Sequence, residues 1–196
     1  SSGYSQALRF TRTAGFTPMT RLSGGTAAVF HENSIAFAWT KADPEPRVHA
    51  VQRFIDISNI MCKAFSKIGI DSRIGLLPGE YCPGKYSINA RGRKKLMGVG
   101  QKIKIGGSHI GGIVVVDDVN LVRNILVPVY NALNLRWDPS TVGSIAEEID
   151  HITYESVVQS ILEEFSISYK LIPGDIGTAT VQSARNLITE YSEDHV

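Results

Sequence analysis

Between Ser72 and Val116 short apolar runs are separated by glycines, while on either side the apolar residues recur at helical spacing. This change of period constrains the chain more than any other feature. The runs at Ile74, Leu76 and Leu77, Tyr86 to Ile88, Leu96 to Met97, Ile103 to Ile105 and Ile113 to Val116 read as sheet strands and loops. Upstream, the polar segment Lys41 to Arg47, with Pro44 and Pro46, feeds a helix expected from Arg47 to Ile68 and closed by Gly69. Its stripe of Val48, Val51, Phe54, Ile55, Ile60, Met61 and Phe65 is expected to face the core, with Cys62 beside it as a small buried apolar residue. Downstream, Val119 to Asn134, Thr153 to Phe165 and Thr178 to Tyr191 return to helical spacing, and Ser166 to Ile172 is one more expected strand.

At the start, Ser1 to Ala14 reads as a helix ended by Gly15, followed by expected strands at Phe16 to Arg21, Ala27 to His31 and Ile35 to Trp39 around a Ser23-Gly24-Gly25 turn. With no internal repeat, this order predicts an α+β fold, a mixed β-sheet with packed helices. Because the chain opens within a helix, residues 1–196 are expected to form one domain that lacks an N-terminal strand and helix.

A hydrophobic content of 43% in 196 residues suits one core. The formal net charge of +1 provides no field for nucleic acid or an anionic membrane, so neither is an expected partner. Two cysteines give no disulfide framework and point to a reducing cytoplasm. The longest apolar stretch, Ile110 to Val116, is broken by Gly111 and Gly112 and falls short of the roughly 20 residues of a spanning helix. No secretory signal pattern opens the sequence.

Three segments could carry chemistry. In Arg21-Leu-Ser-Gly-Gly-Thr-Ala-Ala-Val-Phe-His31, two glycines either make a tight hairpin or let backbone amides cradle a phosphate or carboxylate beside a fixed positive charge. Arg91-Gly-Arg-Lys-Lys95-Leu-Met-Gly98-Val-Gly100-Gln101 is either a solvated basic hairpin or a strand that aims a lysine at an acyl carbonyl or phosphate. It has no interleaved aromatics for stacking bases. In Gly79-Glu-Tyr-Cys82-Pro-Gly-Lys85-Tyr a thiol sits among turn formers near several cations, either incidental or a nucleophile. No Gly-x-Ser-x-Gly elbow occurs, and His31, His49, His109, His151 and His195 lack metal-ligand spacing, so no metal site is expected.

In this order, Arg21, Ser23, Gly24, Gly25 and His31 followed by Lys95, Gly98 and Gln101 resemble the catalytic domain of lipoate-protein ligases and octanoyltransferases and, more distantly, of biotin-protein ligases. The likeness runs from about Ala14 to Asp118, with Thr20-Arg21 where many members have two arginines, and Gly111-Gly112 where members have His-Gly. It implies that the glycine turn, Thr26 included, lines the acyl or acyl-adenylate pocket, and that Lys95 contacts the acyl carbonyl or phosphate. The cysteine-dependent octanoyltransferases carry their nucleophile in the loop before the Lys-x-x-Gly-x-x-Gln element, where Cys82 stands here.

The resemblance thus implies a cytoplasmic enzyme that attaches octanoyl or lipoyl to a lysine of a lipoyl domain. Catalysis falls to Lys95 and Cys82, and substrate binding to Arg21, Ser23, Gly24, Gly25, Thr26, His31, Gly98 and Gln101. It implies no tightly bound cofactor, lipoate or octanoate as the acyl source, and ATP with magnesium if the enzyme is a ligase. The implied acceptor is a lipoyl-domain protein or the glycine cleavage H protein, and acyl-carrier protein is the candidate donor. The lack of an obvious accessory domain after Trp137 leans toward a transferase, or toward a ligase whose accessory domain is another chain. The alternative is a non-catalytic module that binds lipoyl or biotinyl domains. In either case Lys95→Ala is expected to leave the fold intact.

Overall fold

The computed structural model describes residues 2–192. Its element order is α1 (Ser2–Thr13), β1 (Ser34–Ala42), α2 (Ala50–Lys67), β2 (Ser72–Ile74), β3 (Ile88–Ala90), β4 (Lys94–Lys104), β5 (Gly107–Val115), α3 (Val119–Ala132), a 3-10 turn (Pro139–Thr141), α4 (Tyr154–Ser168) and α5 (Thr178–Tyr191). The strands form one sheet in the order β1-β5-β4-β3-β2, with every ladder antiparallel. One isolated parallel bridge joins Lys95 to Val142. The α+β expectation holds, and the helices at both ends of the described chain lie where the sequence places them; Ser1 and His195 are outside the described residues.

Strand alternation divides the core between the two faces of the sheet. Val114 packs with Ile57, Met61 and Phe65 of α2 and Ile161 of α4. Its neighbour Val115 packs with Ala7 of α1 and Val122, Leu126 and Tyr130 of α3. Helix α2 ends where Gly69 takes a φ of +99°, the left-handed conformation that lets the chain turn into β2.

Several expected elements differ. Phe16 to Arg21 makes no strand; it meets the end of α5 through an isolated bridge of Met19 to Ser192 and the Thr20 N–H donating to the Tyr191 carbonyl at 2.8 Å. Ala27 to His31 is extended chain without a ladder. Side chains hold it instead, with the Tyr130 hydroxyl donating to the Ala27 carbonyl at 3.0 Å and Val29 buried. An extended, apolar sequence becomes a strand only where another backbone lies alongside, and among the described residues none does here. Leu96 to Met97 and Ile103 to Lys104 belong to one long strand rather than two, with Ile105 in the turn that follows, and Ser166 to Ile172 continues α4 before running out as coil. Helix α2 begins at Ala50, so Val48 lies exposed in the turn before it; on the helix Val51 and Ile55 are exposed, while Arg53, Ile57, Met61, Ala64 and Phe65 are buried. The buried face admits Arg53 because its guanidinium is fully paired, to Asp43, the Pro46 carbonyl and Gln101. Cys62 is half-buried against Ser72, its sulfur 3.3 Å from the Ser72 hydroxyl. Among the described residues no helix is long and apolar enough to cross a membrane.

Candidate active site

The glycine segment, the Cys82 loop and the β4-β5 pair converge on one cavity of about 490 Å³. Glycines make the wall: Gly98 and Gly100 on β4 and Gly111 and Gly112 on β5 all line it, and Gly100 stands opposite Gly111 in the ladder. At Gly100 a Cβ would come within 2.6 Å of the Ser23 hydroxyl, so the segment after Arg21 rests directly on bare strand backbone. Phe30, Phe37, Phe54 and Tyr81 supply apolar surface, and among the described residues no Asp or Glu lines the cavity.

Cys82 sits in the wall with a φ of +42°, left-handed and unusual for a residue with a side chain. Such strain, about 1–3 kcal/mol, persists only when neighbours over-determine it. Two groups do so. The Cys82 N–H donates to the Tyr130 hydroxyl at 2.8 Å, and the Lys95 ammonium donates to the Cys82 carbonyl at 2.8 Å. The guanidinium of Arg21 donates to the Cys82 sulfur at 3.1 Å and to the Thr26 carbonyl at 2.7 Å. Gly25, at a φ of +112°, makes room for this pair, because a Cβ there would stand 2.2 Å from Arg21 Nη2 and 2.7 Å from Cys82 Sγ.

Lys95 is only 1% exposed, and its ammonium lies 4.8 Å from the centroid of the Tyr81 ring. Besides the Cys82 carbonyl it donates to the Tyr81 carbonyl at 2.9 Å and meets Glu80 Oε1 at 3.3 Å. Burial drives its pKa below the ordinary lysine value, opposed mainly by the negative charge of Glu80. Glu80 is buried in turn and accepts from the Gly84 N–H at 2.8 Å, the Ser87 hydroxyl at 3.1 Å and the Leu77 N–H at 3.3 Å.

The structure therefore brings together Arg21, Ser23, Gly24, Gly25, Cys82, Lys95, Gly98 and Gln101, all in the cavity wall. Gln101 is also tied outward, donating to the Ala50 carbonyl at 3.1 Å and accepting from Arg53 at 2.6 Å. Thr26 stands behind the wall, its hydroxyl 2.7 Å from that of Tyr130. His31 does not line the cavity. Both its ring nitrogens are enclosed without a hydrogen-bond partner, and burial lowers its pKa against the opposing charges of Asp118 and Asp117. Sequence reasoning missed Glu80, which lay inside a quoted loop as one acidic residue without a pattern. It also missed Tyr130, which reads as an ordinary residue of an amphipathic helix.

A family model described as lipoyl protein ligase A/B catalytic domain matches residues 3–166. An octanoyl-GcvH:protein N-octanoyltransferase of Geobacillus kaustophilus is 26% identical over 102 residues, 52% of this chain and 36% of that protein, so the match spans about a third of the curated relative. Among solved structures, a T. acidophilum protein with bound lipoic acid superposes with a TM-score of 0.74 at 17% identity, covering 93% of this chain and 71% of that one. A lipoate-protein ligase A bound with ATP gives 0.72 at 16% identity, covering 93% and 72%. With the fold shared throughout and the family model spanning most of its length, the chain belongs to the lipoyl protein ligase A/B catalytic domain family.

Proposed function

We propose that this domain is an acyltransferase that carries an octanoyl or lipoyl group on Cys82 and delivers it to a lysine of a lipoyl-domain protein or glycine cleavage H protein in the cytoplasm. The observation that carries the reading is the Arg21 guanidinium 3.1 Å from the Cys82 sulfur in the wall of an apolar cavity. In the first step the Cys82 thiolate attacks the carbonyl of an acyl thioester. The negative charge that develops on oxygen is stabilised by the neighbouring cations, the carbon–sulfur bond to the donor breaks, and the donor leaves as a thiolate that takes up the proton Cys82 gave to water on ionising. In the second step the neutral acceptor amine attacks the Cys82 thioester, the carbon–sulfur bond breaks as the amide forms, and the proton lost by the amine restores the Cys82 thiol. The apolar wall of Phe30, Phe37 and Phe54 suits the hydrocarbon chain.

The Lys95 ammonium is already engaged, by hydrogen bonds to the Tyr81 and Cys82 carbonyls and by the ion pair with Glu80. An acyl oxygen therefore reaches Lys95 by taking over one of these contacts. The ligase reading draws on the same Arg21 and glycine turn as a phosphate cradle. Since among the described residues no carboxylate lines the cavity, magnesium brought by ATP would be held chiefly through the nucleotide's own phosphates.

Intact mass spectrometry tests the proposal. The protein is incubated with octanoyl-acyl-carrier protein or with lipoate plus ATP, as wild type and as Cys82→Ser. A thioester-sized gain that needs Cys82 is expected. Modification of a lipoyl domain only with ATP, in both proteins, would establish the ligase reading instead. Binding of lipoyl domain without any modification would leave the non-catalytic module.

A further inference from the structure

Glu80 is the one acidic side chain enclosed within the loop that presents the nucleophile, two residues before Cys82. We propose that Glu80 is a positioning residue of the acyl-transfer site, whose carboxylate closes the 77–87 loop around Cys82 and holds the Lys95 ammonium beside it as a cation. The proposal rests on the acyl-transfer reading.

The geometry carries it in two parts. First, one carboxylate gathers the loop on itself. Oε2 accepts the Leu77 N–H, and Oε1 accepts the Gly84 N–H and the Ser87 hydroxyl, so both sides of the loop are tied to a single buried group. Residues 81 and 82 cross between these ties. Their carbonyls face Lys95, which donates to both at 2.9 and 2.8 Å. Second, Lys95 lies almost wholly out of water, where an ammonium is costly without a counter-charge. The charged or ionisable groups facing it are Glu80, Cys82 and Arg21, with Tyr81 beneath through its ring. Of these Glu80 is the only carboxylate, at 3.3 Å. Arg21 repels the ammonium, so without Glu80 two cations would share the neighbourhood of a single thiol.

Glu80→Gln separates the charge from the shape, because the amide keeps the volume and one acceptor oxygen for Gly84 and Ser87. Three readouts are taken on the full chain: thermal melting, kcat and KM for octanoyl-acyl-carrier protein across pH, and an NMR titration of Lys95 Cε in isotopically labelled protein without donor. The expected result is a folded variant with KM held, kcat lowered about a hundredfold, and both the alkaline limb of kcat and the Lys95 titration moved to lower pH. A limb and a titration that stay in place, with kcat following only the folded fraction, would overturn the proposal and leave Glu80 structural. Unchanged kcat would overturn it equally. A wild type that forms no octanoyl thioester overturns the acyl-transfer reading itself, and is told apart because the Lys95 titration is read without any donor.

Discussion

Replacing Gly25 with alanine strikes at the contact on which acyl transfer is argued to depend. A Cβ at this position would lie 2.2 Å from Arg21 Nη2 and 2.7 Å from Cys82 Sγ, so one of the two side chains must move and their 3.1 Å contact is lost. A hydrogen bond involving a charged group contributes about 1.5–3 kcal/mol. If that contact persists in the transition state, its loss slows thioester formation by about ten- to 150-fold. The φ of +112° adds backbone strain of about 1–3 kcal/mol to the folded state. For a chain of this size that lowers the melting temperature by about 2–12 °C. The assay is single-turnover formation of the octanoyl adduct by intact mass, run below the melting point of each protein. Gly15→Ala is the internal control, since Gly15 also has a positive φ, of +83°, but lies outside the cavity lining and a Cβ there meets nothing within 4 Å, so the rate should stay near wild type. Equal losses in the two variants, or an unimpaired Gly25→Ala, would refute the assignment of Arg21 to the cysteine.

Further outcomes follow from the same geometry. Lys95→Ala should abolish transfer and also destabilise the fold by about 3–5 kcal/mol, because Glu80 is left as an uncompensated buried charge; chemical denaturation measures the second effect. This corrects the expectation that the fold would be untouched, which treated Lys95 as a pocket-surface residue. Tyr130→Phe removes the acceptor of the Cys82 N–H and the donor to the Ala27 carbonyl. It should cost about 1–3 kcal/mol in denaturation and slow thioester formation in the folded protein. Because burial lowers the His31 pKa, the unfolded chain binds the proton first as pH falls through about 6.5. Stability is therefore lost on acidification until the lowered folded value is passed. His31→Leu should flatten that acid limb in denaturation curves taken on either side of it, and an unchanged limb would count against burial as the cause.

The sequence made the fold class and the arginine, cysteine and lysine of the site legible, for different reasons. Helices α2 to α5 were readable because their periodicity is local, whereas β4, interrupted by Gly98 and Gly100, was read as two separate runs. The strands expected at 16–21 and 27–31 were misread because a strand depends on a backbone partner, which no local pattern specifies. Cys82 and Lys95 stood out by residue type and by their place in a motif. Tyr130 could not, since it meets Cys82 across 48 residues and Thr26 across 104. His31 matched the motif, yet its ring is enclosed apart from the cavity, showing that a matched residue type does not fix where a side chain goes.

The bare strand backbone beneath the cavity has a consequence for how such a site can change. At Gly98, Gly100, Gly111 and Gly112 every possible replacement adds atoms, so mutation there can only narrow the chamber. At Gly112 even a methyl group would lie 2.4 Å from the Phe37 ring and 2.6 Å from the Gly98 carbonyl oxygen. Variation toward bulkier cargo must therefore come from the side chains around that backbone, Leu22 and Phe30 of the segment after Arg21 and Phe37 of β1, which can be trimmed. The glycine backbone of β4 and β5 is a floor already at its lowest level, and evolutionary freedom in this chamber belongs to the aromatic and aliphatic side chains around it.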